Sequence, residues 1–204
     1  MAKNVKAEVD LSTEEKIKEA ARKVFTQKGY AATRTRDIAE EAGLNLALLN
    51  YYFRSKEKLF EIIMVEKMNQ FFGVMDPILN NADSKLEDKV EAIALNYIDL
   101  LTKNPDLPLF VLSGIRNGPK HLVQIMGKAD KLIKSVLVKQ IQEKTPGRNP
   151  MHFLFNILGL CVYPFIMNPI LQSMSAMNDK TFAQMMKERK TLIPEWIKAM
   201  LEVT

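Results

Sequence analysis

The chain is 204 residues long, 47% hydrophobic and 26% charged, with 8 glycines and a formal net charge of +5. That length holds one domain, or a small domain fused to a larger one, and the composition excludes a disordered chain. The single cysteine, Cys161, excludes an internal disulfide and suits a reducing compartment. Residues 1–60 carry 12 Lys and Arg against 9 Asp and Glu, so the basic excess is concentrated where a polyanion partner would use it. No apolar segment of a secretory signal precedes Asp10. The longest unbroken apolar stretch, residues 157–167, has 11 residues against the roughly 20 that span a bilayer. The expectation is a soluble, cytoplasmic protein with no membrane partner.

Strand patterns are nearly absent, and helical periodicity recurs along the chain, so the fold class is all-α. Ser12 with Glu15 forms a capping box at the start of the first helix. Ile17, Ala20, Ala21, Val24 and Phe25 follow at i, i+3, i+4, i+7 and i+8, and Gly29 closes it. A short helix is predicted over 35–42, with Ile38, Ala39 and Ala42 on one face. Gly43 supplies its left-handed stop, Leu44 plugs the corner, and Asn45 caps a second short helix. In that second helix Leu49 and Phe53 face inward, which leaves Leu46, Ala47, Asn50, Tyr51 and Tyr52 outward. Two short helices joined by a tight Gly turn form a helix-turn-helix, and DNA-binding versions lay the second helix in the major groove.

Beyond it, Ser55 is expected to cap a helix over 56–75 that buries Leu59, Ile62 and Ile63, and Pro77 to end or bend that helix. Ser84 with Glu87 marks another start. Val90, Ile93, Ala94, Tyr97, Ile98 and Leu101 form the next apolar face, stopped by Asn104-Pro105. A short helix is expected over 108–116, then a turn at Asn117-Gly118-Pro119. An amphipathic helix over 120–144 follows, with Leu122, Ile125, Met126, Ala129, Ile133, Val136 and Leu137 inward, and Thr145-Pro146-Gly147 breaks the chain. Residues 151–177 are apolar on almost every side, the mark of a helix in a core or at a subunit interface, with Pro164 and Pro169 expected to kink or split it. A last helix covers 179–202, interrupted at Pro194. The domain boundary is placed between 55 and 56, giving residues 1–55 to the helix-turn-helix and 56–204 to the larger helical domain.

The N-terminal segment resembles the TetR family of bacterial regulators. The resemblance rests on Ala20-Ala21, Phe25, Gly29-Tyr30, Thr33, Ile38-Ala39, Ala42-Gly43, Leu49, Tyr51-Tyr52-Phe53, Ser55-Lys56 and Leu59, spaced without a gap from Gly29 to Leu59. It covers about 50 residues; the rest agrees in length and helical character. Asn50 stands where the family more often has Tyr, and Leu46 where Lys or another polar residue is frequent.

The resemblance implies a homodimer that binds double-stranded DNA and regulates transcription. A repressor released from a palindromic operator by a small, largely apolar effector is the leading reading. An activator of the same fold and a helical protein-interaction module stay open. The DNA contacts implied are Thr35, Arg36, Asn45, Leu46, Ala47, Asn50, Tyr51, Tyr52 and Lys56. Arg36 suits guanine, Asn50 suits the adenine edge, and Ala47 with Leu46 suits a thymine methyl. Thr35 and the two tyrosines would take phosphates, or Tyr52 a base, and Lys56 would grip a phosphate at a helix N-terminus. Packing against the first helix is the competing role for the tyrosines, and ordinary surface charge for Arg54, Lys58 and the Glu40-Glu41 pair.

The larger domain would take the effector, and its many methionines would repack around apolar ligands. Candidate lining residues are Asn96, Tyr97, Phe110, Asn156, Tyr163, Met167 and Trp196. No nucleophile beside a base, metal-ligand cluster or Gly-rich phosphate loop is present, so no enzyme activity and no cofactor are expected. His121 and His152 lack the company that a zinc site needs.

Overall fold

The computed structural model describes residues 12–117 and 129–202, which form ten helices. The expected turn at 117–119, His121, and Leu122, Ile125 and Met126 of the predicted 120–144 helix lie outside the described residues. In chain order the helices are α1 (Thr13–Ala32), α2 (Thr35–Glu41), α3 (Leu46–Phe53), α4 (Lys56–Asn80), α5 (Leu86–Lys103), α6 (Leu107–Asn117), α7 (Ala129–Ile133), α8 (Val136–Lys144), α9 (Met151–Ser173) and α10 (Asp179–Glu202).

The chain divides into two compact units, residues 1–64 and 65–204. The division falls inside α4, nine residues beyond the expected boundary. Its cause is burial: Leu59, Phe60, Ile63 and Met64 are sequestered in the first unit, and Phe60 meets Phe25 and Tyr30 edge-on at 5.0 and 4.7 Å.

In the first unit the whole predicted stripe of α1 is buried. Ser12 accepts from the Glu15 backbone N–H, at 3.3 Å. The Glu15 carboxylate pairs with Lys18 and Arg22, at 2.7 and 2.9 Å, two cations that outcompete the return bond of a capping box. Gly29 takes φ 73° and breaks the regular helix, after which one more turn carries the chain to Ala32. Gly43, at φ 66°, ends α2 in the left-handed region that glycine occupies without strain. The Leu44 N–H returns to the Ala39 carbonyl at 2.9 Å.

In the second unit α5 packs chiefly against α10, and α9 lies against both. Prolines are tolerated here inside helices. α4 runs through Pro77 to Asn80 because Met75 and Leu79 are buried on either side of it, while Pro77 and Gly73 stay in water. α9 is one helix through Pro164 and Pro169, and α10 one helix through Pro194. Pro164 has no N–H, so the Leu160 carbonyl loses its helical donor. Arg189 of α10 replaces it, donating from Nε at 3.2 Å and Nη2 at 2.7 Å.

Three expectations are corrected. α5 starts at Leu86 after Lys85, with no side-chain cap from Ser84. The predicted 120–144 helix is broken before Ser135, whose Oγ caps α8 by accepting from the Val138 N–H. The break shifts the helical phase, so Ile133 is half exposed and Val138 and Ile141 are buried. The third concerns α9: Pro164 and Pro169 predict a kink or split, and the helix is single from Met151 to Ser173. At 23 residues it is long and apolar enough to cross a membrane by length and composition, and only 28% of its most apolar window is buried. Its outer face shows Phe155, Leu158, Tyr163, Ile170 and Met174. Cys161, on the inner face, is 1% exposed, and burial pushes its thiol up to about 12.

Candidate nucleic-acid interface and ligand cavity

The interface is built on α3. Asn45 caps it: its Oδ1 accepts from the Leu48 backbone N–H at 2.8 Å, and its extended backbone turns the chain out of α2. Eight residues of helix then sort by face. Leu49 and Phe53, four apart, are buried at 0% and 3% exposure. Ala47, Asn50, Tyr51 and Tyr52 are exposed, and Leu46 is half-buried beside them. Tyr51 is 80% exposed, which settles it as a surface residue. Tyr52 is also at the surface and meets Tyr51 edge-on, with ring centroids 5.4 Å apart.

The start of α2 lies before this helix in the same motif. Arg36 is exposed and Thr35 half-buried. The Asp37 carboxylate accepts from the Arg34 backbone N–H at 2.9 Å and faces Lys28 at 3.3 Å. Those two partners, the backbone bond first, hold it below the usual carboxylate range. Glu41 is paired with Lys23, which neutralises one of the two adjacent acids. Two exposed arginines flank the motif, Arg34 before α2 and Arg54 after α3. Arg54 sits at φ 58°, a left-handed conformation unusual for a residue with a side chain. Its position directly after the helix, where the chain must turn sharply into Ser55, was the available sequence signal.

Lys56 departs from its expected place. Its ammonium donates to the backbone carbonyls of Tyr30 and Thr33, at 3.0 and 2.9 Å, and stands 4.3 Å from the Tyr30 ring centre. It satisfies carbonyls at the end of α1, a stronger draw than solvent for a cation beside a helix C-terminus. Next to it the Tyr30 hydroxyl donates to Glu57 at 3.0 Å. Burial first, and Glu57 second, push the Tyr30 phenol up to about 12.

The second unit contains a partly open pocket of ≈180 Å³, lined by aliphatic and aromatic side chains that include Phe71, Met75, Ile93, Leu154 and Ile157, together with Tyr97. Of the predicted ligand residues only Tyr97 lines it. Asn156 belongs to a separate open depression with Arg148 and His152. Tyr163 is on the outer face of α9. Asn96 is exposed, and its side chain donates to the Ala92 carbonyl. Phe110 is core, Met167 is half-buried, and Trp196 stacks under the Arg189 guanidinium at 5.2 Å. Their helical phase turns them away from the cavity.

Two short helices joined by a tight glycine turn, with one apolar face buried and the other face exposed, form a helix-turn-helix motif. Residues 17–63 match the family model described as bacterial regulatory proteins, tetR family. Over 162 residues the chain is 24% identical to the "Probable HTH-type transcriptional regulator YttP" of Bacillus subtilis (strain 168), covering 76% of this chain and 78% of that protein. Over 119 residues it is 31% identical to the HTH-type transcriptional repressor KstR2 of Mycolicibacterium smegmatis, covering 52% and 58%. The fold matches that of the transcriptional regulator FadR from Bacillus subtilis in complex with stearoyl-CoA, with a TM-score of 0.67 at 18% identity, covering 88% of this chain and 96% of that one. Residues 17–63 therefore form a helix-turn-helix segment of the TetR family of bacterial regulatory proteins.

Proposed function

We propose that the chain is a homodimeric, cytoplasmic repressor that reads a palindromic operator through α3 and leaves it when an apolar effector occupies the second unit. The observation that carries the DNA reading is the sorting of α3: its apolar side chains are buried, and Ala47, Asn50, Tyr51 and Tyr52 are free. Asn50 suits an adenine edge, Arg36 a guanine, and Ala47 with Leu46 a thymine methyl. Thr35, Tyr51 and Tyr52 take phosphates, joined by the flanking Arg34 and Arg54, while Asn45 fixes the helix.

The outer face of α9 supports the dimer. Phe155, Leu158, Tyr163, Ile170 and Met174 together are too apolar a surface to leave in water. A second copy covers that face and sets two recognition helices about 34–36 Å apart, one turn of DNA. That use of α9 competes directly with insertion in a membrane, and a DNA-binding family favours it. The repressor reading draws support from KstR2, and the apolar effector from the cavity and from the stearoyl-CoA bound to FadR. Effector and operator are then linked reciprocally, by about 1–3 kcal/mol.

The test is selection of binding sites from random duplex DNA, followed by titration of the selected site. Asn50→Ala and Arg36→Ala are expected to lose about 1–3 kcal/mol of discrimination between operator and random duplex. Full discrimination in both variants overturns the contact assignment.

A further inference from the structure

The cavity in the second unit limits what can enter it. Its described lining offers no cation, no carboxylate and no amide; the Tyr97 hydroxyl is the single polar group. That hydroxyl has no hydrogen-bond partner among the described residues, and burial holds the phenol well above its ordinary value, so it stays neutral. An apolar cavity of about 150 Å³ accepts a benzene-sized molecule, and water is held poorly against walls that offer it fewer than two polar partners. The volume here, ≈180 Å³, is of that order. An ionised carboxylate inside would be stranded without a counter-charge, which is costly. A longer chain, such as an eighteen-carbon acyl group, would have to leave the pocket through its open side.

We propose that the ligand part that fills this cavity is uncharged and small, one six-membered ring or a chain of about six carbons, with Tyr97 donating one hydrogen bond to a neutral oxygen. Tyr97 thereby becomes the specificity-determining residue of the site. The inference rests on the effector reading given above and narrows its chemistry.

Calorimetric titration of the full chain at pH 7.5 tests it with four probes: toluene, 1-hexanol, hexanoate and stearoyl-CoA. Toluene and 1-hexanol are expected to bind, and hexanoate at least about tenfold more weakly than 1-hexanol. Tyr97→Phe is expected to weaken 1-hexanol by about five-fold, the worth of one hydrogen bond, and to leave toluene unchanged. Ile157→Phe, which fills the space, is expected to abolish both. Should that variant fail to fold, the Tyr97→Phe comparison still decides.

Hexanoate or stearoyl-CoA binding as tightly as 1-hexanol overturns the proposal. So does the absence of any toluene or hexanol binding by protein that still binds its selected operator, a result that leaves the DNA reading standing. Binding of 1-hexanol with the expected Tyr97 dependence but no change in operator affinity supports the cavity assignment and overturns the effector role instead.

Discussion

Lys56 and Tyr51 lie five residues apart and have opposite surroundings. The Lys56 ammonium holds two carbonyls at the end of α1, whereas Tyr51 rests mainly in solvent. Lys56→Ala is expected to cost about 1–3 kcal/mol of stability in urea denaturation and to leave the salt slope of DNA binding unchanged. A slope smaller by about one ion would return Lys56 to a phosphate. Tyr51→Ala is expected to keep stability within about 0.5 kcal/mol while weakening operator binding. Tyr30, beside Lys56, adds a pH dependence. Its phenol is raised from 10.0 to about 12, so the unfolded chain ionises first. The stabilising effect of its neutral ring is intact below pH 10 and is lost as the pH rises towards 12. Tyr30→Phe is expected to flatten that alkaline loss, measured as denaturation midpoints at pH 9, 10 and 11.

At the level of the helices, local chemistry was readable and tertiary burial was not. The stops at Gly43 and Asn104 and the caps at Ser12 and Asn45 depend on neighbours within a few residues, and the sequence placed each of them. Pro77, Pro164 and Pro194 read as interruptions, yet their helices continue; the carbonyl opposite Pro77 faces water, and the one opposite Pro164 has Arg189 as its donor. Lys89 is a similar case: it is 1% exposed on α5 and donates to the Ser84 carbonyl at 2.6 Å, a burial that periodicity alone would not predict for a charged residue. The clasp of Arg189 on the Leu160 carbonyl is a measurable example of such compensation. Arg189→Ala is expected to destabilise the second unit by about 1–3 kcal/mol. Arg189→Lys should restore only part, since an ammonium lacks the planar fork that delivers two donors to one oxygen. Equal stability of wild type and Arg189→Ala in thermal denaturation would remove the clasp from the account.

For the molecule as a whole, the DNA-binding motif was legible because every residue that makes it falls within one short segment. The cavity was not, because α4, α5, α7, α8 and α9 each contribute walls to it and no pattern in one segment records that convergence. The proposed dimer belongs to this scale. Ile170→Glu places a charge on a half-exposed site of α9, so it is expected to leave helical content intact and to convert the dimer into monomer by light scattering; an unchanged mass would reject α9 as the interface. The same helix holds the lone sulfur atom of a cysteine, Cys161, shut away and protonated. Alkylating reagents therefore reach it only when α9 lifts from its neighbours. Labelling kinetics give a native clock for that opening, with no engineered probe, and the folded protein should withstand air without forming cross-linked pairs.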